Sequence, residues 1–155
     1  MNKQLISYYF GGKQGLYEAI SDRWRQAEES FAPRGTPLPA LAAEYARQAL
    51  RSADEARLLI REGLDGHPGP GGSRSAQQER FAQILSELQS RQQAGELPAD
   101  LDPAALAVAL FGMCAAPVSF PHVARAVGLD PGAPDFAERY AAEIGRLVAH
   151  LCAGG

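Results

Sequence analysis

Residues 2–17 read NKQLISYYFGGKQGLY, a short helix, a Gly-Gly turn and the start of a second helix. Asn2 caps the first helix by accepting a backbone N–H. Ile6 and Phe10 then fall on one face, four residues apart, with Lys3, Gln4 and Ser7 on the other. Gly11 and Gly12 allow the positive φ angles that a tight reversal needs. Lys13 stands in the first turn of the following helix, where free backbone N–H groups attract anions, so a phosphate suits that corner. Both lysines of the chain lie in this stretch, and no acidic residue precedes Glu18, although the net charge of the whole is −3. A local excess of positive charge at one helical corner suits docking into a nucleic-acid groove.

The same residues resemble the recognition helix and following helix of the TetR family of bacterial transcriptional regulators, whose signature there runs roughly V-S-x-x-x-L-Y-x-Y-F-x-x-K-x-x-L. Met1 stands at the Val position, Asn2 at the cap and Ile6 and Phe10 at the two core positions, with Tyr9, Lys13 and Leu16 at their usual places. Ser7 occupies the position where the family most often has a phosphate-binding tyrosine, which moves that contact to Tyr8 or Tyr9. The resemblance implies Lys3 and Gln4 as readers of base edges and Ser7, Tyr8, Tyr9 and Lys13 as phosphate contacts. It also implies two further helices ahead of Asn2, because the first helix of a helix-turn-helix crosses the DNA backbone and supports the second. A GTG codon, valine within a gene but methionine as a start, would leave Met1 where the family has Val.

Working outward, residues 13–31 keep Leu16, Ile20, Trp24, Ala27 and Phe31 on one helical face, the pattern of a long connecting helix. Two prolines and a glycine in residues 33–37 break it. Residues 38–51 are helical again, and Ser52 or Asp54 caps another helix carrying Leu58, Leu59 and Ile60. Residues 63–75, with HPGPGG, have the composition of a surface loop. A helix over 77–93 follows, with Phe81, Ile84, Leu85 and Leu88 facing inward; Gly95 ends it, and Asp102 caps the next, with Pro103 in its first turn. Residues 104–127 are apolar but carry Pro117 and Pro121, which predicts a kink or break near Ala116. Residues 135–152 form the last helix. No strand pattern and no internal repeat occurs, so the expected fold is all-α, one unit. Residues 1–32 are then a partial helix-turn-helix with its connecting helix, and residues 33–155 a helical regulatory domain.

Composition bounds the rest. With 155 residues, 46% of them hydrophobic, the chain suffices for one core, and the net charge argues against nonspecific nucleic-acid binding by its bulk. No run of about 18 apolar residues predicts a membrane span and no signal-peptide core opens the chain, so the expected location is cytoplasmic. Cys114 and Cys152 lie far apart without a CxxC partner and read as buried thiols.

Two ridges of small residues stand out: Ala105, Ala109, Gly112 and Ala116 on one segment, and Ala137, Ala141, Gly145 and Ala149 on the other. Small side chains let helix axes approach closely. The ridges, beside Phe136, Tyr140, Ile144, Leu147 and Leu151, predict that part of this surface buries itself against a second copy as a four-helix bundle, a homodimer that the resemblance also implies; the alternative is packing within the chain. Around the proline break, Phe111, Met113, Cys114, Phe120 and His122, with Phe81 from the preceding helix, are candidate walls of a pocket for a small effector. The same residues at helical spacing also read as core. Cys114 and His122 lack a third partner, so no catalytic or metal role is expected and no cofactor is implied. The expected function is a TetR-like, ligand-responsive repressor. The rival is a helical ligand-binding or scaffold dimer that never binds DNA.

Overall fold

Prolines, glycines and one aspartate punctuate the chain into helices. In the computed structural model, which describes residues 8–9, 11–33, 35–64 and 74–154, these are α1 Lys13–Phe31, α2 Leu38–Arg51, α3 Ala53–Leu64, α4 Arg74–Gln93, α5 Pro103–Ser119, α6 Pro121–Ala126 and α7 Phe136–Ala153. Among the described residues there is no strand, and the fold is all-α as expected. Residues 65–73, the greater part of the expected loop, lie outside the described residues.

The ends of the helices follow from local chemistry. At the end of α4, Gly95 takes φ 75°, a left-handed value that favours glycine. There the Glu96 N–H reaches the Arg91 carbonyl at 2.9 Å and the Gly95 N–H reaches Gln92 at 3.0 Å, closing a Schellman motif. The connection that follows is pinned by the Gln92 amide, which donates to the carbonyls of Pro98 (2.9 Å) and Leu101 (2.8 Å), and by Leu97, which is fully buried. Asp102 then caps α5, its carboxylate accepting from the N–H groups of Ala104 (2.7 Å) and Ala105 (3.1 Å), with Pro103 as the first helical residue.

The centre of the molecule is the pairing of α2 with α7. Leu38, Ala42, Ala46 and Ala49 form the buried stripe of α2, and Phe136, Ala141, Ile144 and Val148 that of α7. Ala46 and Ala141 are both 0% exposed, and a Cβ on Gly145 would lie 3.3 Å from the Pro39 carbonyl oxygen and 3.4 Å from the Ala43 Cβ. The small-residue ridge of α7 is therefore largely spent within the chain against α2, the alternative to its serving a second copy; only Ala149, at its end, is exposed. On the rim, Glu138 of α7 accepts from Arg47 and Arg51 of α2, both at 2.8 Å. The hydrogen bond from Arg47 holds the Glu138 carboxyl below its ordinary value.

The other face of α2 meets α5, and Leu88 of α4, Leu106 and Cys114 of α5 and Leu97 join the same core. Burial along α4 declines toward its start: Leu88 is buried, Ile84 and Leu85 are half-buried, and Phe81 is exposed, a correction to its expected inward role. Arg91 is 8% exposed, its guanidinium bonded to Glu87 (2.7 Å), Glu96 (3.0 Å) and the Thr36 carbonyl (2.8 Å). Burial works against that charge, but Glu87 and Glu96 outweigh it and keep the Arg91 pKa above its ordinary value. The group ties the bend between α1 and α2 to the end of α4.

The expected break near Ala116 is displaced. Helix α5 runs through Pro117 to Ser119, and the chain turns at Phe120 before Pro121 opens α6. Pro117 lies in the last turn, where the lost N–H frees one carbonyl, that of Met113, and the Tyr140 hydroxyl of α7 fills the vacancy at 2.7 Å.

Candidate functional site

Of the DNA-contact candidates, Lys3, Gln4 and Ser7 lie outside the described residues, as do Ile6 and Phe10. Lys13 begins α1, and its side chain is likewise outside them. Tyr8 and Tyr9 have helical backbone and exposed rings set edge to face at 5.1 Å. Gly11 (φ 68°) and Gly12 (φ 111°) both take left-handed φ values, and Gly12 is the N-cap of α1.

The six pocket candidates do not converge. Met113 is half-buried, and Cys114 faces the core, its thiol donating to the Ala42 carbonyl at 3.4 Å. Burial pushes the Cys114 thiol up to about 11. Phe111 and Phe120 are 67% and 57% exposed, Phe81 is exposed, and His122 lies on the surface beside Phe120 with ring centres 6.5 Å apart. Helix α5 continues past Ala116 to Ser119, and along it Cys114, Pro117 and Val118 are buried while Phe111 is exposed, so the candidates face different surroundings.

A cleft of about 150 Å³ lies elsewhere, between α1 and the body. Arg23, Ala27 and Phe31, spaced by four along α1, form one wall; Gln48 and Ser52 at the end of α2 and Glu55 in the first turn of α3 form the other. Arg23 reaches across to Glu55 at 3.1 Å. The Gln48 amide nitrogen donates to Glu44 at 2.9 Å.

Next to the cleft, α1 is jointed to the body through Tyr45. The Tyr45 hydroxyl donates to Glu28 of α1, whose two carboxylate oxygens also lie 3.0 and 2.9 Å from Arg80 of α4. Phe31 packs edge-on against the Tyr45 ring at 5.3 Å. Burial, then the hydrogen bond and charge of Glu28, push the Tyr45 hydroxyl well above its ordinary value. Sequence periodicity marks Ala27 and Phe31 as one face of α1 but contains no signal for the partners Gln48, Glu55 and Arg80, which only the packing supplies.

Among the described residues no group of three or more His, Cys, Asp or Glu is placed to hold a metal ion, and no helix is long and apolar enough to cross a membrane. Comparison with known proteins finds no family model, no curated protein and no solved structure that matches the chain.

Proposed function

We propose that the chain is a TetR-like, ligand-responsive transcriptional repressor in which residues 1–32 carry part of the DNA-contacting motif and its connecting helix. The observation that supports this reading most is the pair of left-handed glycines, Gly11 and Gly12, between the exposed Tyr8 and Tyr9 and the 19-residue α1. It stands where the resemblance puts the turn after a recognition helix. In this reading α1 is the lever between DNA and effector, and its joint to the body through Glu28, Tyr45 and Arg80 transmits the ligand's preference for one lever position.

Dimerisation belongs to the same proposal. Ala104, Ala105, Val108, Ala109, Phe111 and Gly112 are exposed on α5, and a Cβ added at Gly112 meets nothing within 4 Å. An uncharged helical face with so little relief is suited to a twofold contact, in which the same patch faces itself across the axis. The partner helix of the expected bundle changes accordingly, because most of the α7 ridge is used internally.

The test is a gel shift on DNA flanking the gene, using the chain as given and the chain extended by the codons immediately upstream in frame. A regulator gives sequence-specific binding by the extended chain that falls steeply with salt. Lys13→Ala then weakens all sequences alike, while substitutions at Lys3 or Gln4 change the preference among bases. Absence of specific binding by both forms favours the scaffold reading.

A further inference from the structure

We propose that the cleft between α1, α2 and α3 binds small organic cations with an apolar body, such as arylalkylammonium ions. As the effector class of the regulator, this rests on the function proposed above. The two walls are chemically unlike. On α1, Ala27 and Phe31 offer apolar surface. Opposite them, Gln48, Ser52 and Glu55 form a polar wall on which the Glu55 carboxylate is the one formal charge and a strong hydrogen-bond acceptor.

The cation now on Glu55 comes from the protein. The Arg23 side chain is 73% exposed, that of Glu55 only 24%, so the carboxylate is the fixed and sheltered partner and the guanidinium the solvated one. A surface pair of this kind contributes little and is readily exchanged. The neighbouring cation Arg57 is engaged by Asp54 at 2.9 Å, and Arg80 by Glu28, so Arg23 is the guanidinium that a ligand ammonium would replace. The ligand's apolar body would then lie against Ala27 and Phe31, and the site would close only with α1 in place. Occupancy therefore bears directly on the lever, because Phe31 also packs on Tyr45 and Glu28 lies one turn back along the same helix.

The experiment is isothermal titration of the full chain with 2-phenylethylammonium chloride, and with 2-phenylethanol as the neutral counterpart, at low and high salt. The expected result is binding of the cation at least about tenfold tighter than of the alcohol, weakened about tenfold by Glu55→Gln and weakened by salt. Arg23→Ala tightens it several-fold by removing the internal competitor, an effect that a merely structural Arg23 would not produce. Circular dichroism of each variant establishes that it is folded. Equal affinity for the alcohol, or affinity indifferent to Glu55→Gln, overturns the cation assignment, and no heat with either compound at millimolar concentration overturns the site. Cation binding by a protein whose upstream-extended form fails to bind DNA upholds the site and removes the regulator; specific DNA binding without cation binding does the reverse.

Discussion

The Tyr140 hydroxyl donates at 2.7 Å to the carbonyl of Met113, the carbonyl that Pro117, four residues on, cannot serve. A proline in the interior of a helix costs stability because it removes an N–H and crowds the preceding turn. Here the orphaned acceptor is satisfied from α7, and α5 continues to Ser119. Tyr140→Phe is expected to lower unfolding free energy by about 1 kcal/mol. Pro117→Ala restores the N–H, so in that background the same substitution should cost distinctly less. A denaturant double-mutant cycle measures the coupling, and strict additivity would show that the two residues are independent.

The two small-residue ridges look alike in sequence and behave differently in the fold, and their glycines make the difference measurable. Gly145 faces α2, with the Pro39 carbonyl 3.3 Å from where its Cβ would stand, so Gly145→Val is expected to destabilise by about 1 to 3 kcal/mol through overpacking. Gly112 faces open space, and Gly112→Ala should stabilise the subunit by up to about 1 kcal/mol through helix propensity alone. Thermal or urea unfolding distinguishes them; equal effects would contradict the assignment of the α7 ridge to α2.

The proposed dimer predicts a phenotype confined to association. Val108 is 75% exposed and Phe111 67%, so a glutamate at either position leaves the subunit core untouched. Val108→Glu and Phe111→Glu should each shift the molecular mass in light scattering toward the monomer, with the helical circular dichroism retained. A parent chain that is already monomeric at micromolar concentration would remove the dimer proposal.

Much of the helix map was legible because punctuation in this chain is chemical. The helix at 13–31 ends, and that at 38–51 begins, on either side of Pro33, Gly35 and Pro37, and Asp102 with Pro103 announces α5. What stayed illegible was the orientation of α5 and the partner of each face. Residues 104–118 are uncharged throughout, so helical periodicity does not say which side is inside, and Phe111 fell outside while Cys114 fell inside. The cleft draws on α1, α2 and α3 together, residues as far apart as Arg23 and Glu55, and a face on one helix does not name the helix that will cover it.

The joint at Tyr45 gives the chain a distinctive alkaline response. The hydroxyl is neutral in the fold, donates to Glu28, and has its pKa raised first by burial and then by that carboxylate, while Arg80 opposes the shift. In the unfolded chain the same group titrates near its ordinary 10.0. Below that pH both states hold the proton and stability is flat with respect to this group. Above it the unfolded state binds fewer protons, so the slope of unfolding free energy with pH is negative and stability falls as pH rises. Tyr140, also raised by burial, and Cys114, raised from 9.0 to about 11, act in the same direction, the thiol beginning lower. Tyr45→Phe should therefore be less stable than the parent at neutral pH, having lost its bond to Glu28, yet lose less stability between pH 9.5 and roughly 11.5, where an ordinary tyrosine ionises. Urea unfolding of both proteins across that interval measures the difference in slope. Parallel curves would show that Tyr45 ionises as freely in the fold as out of it, and that the joint to α1 is open in solution.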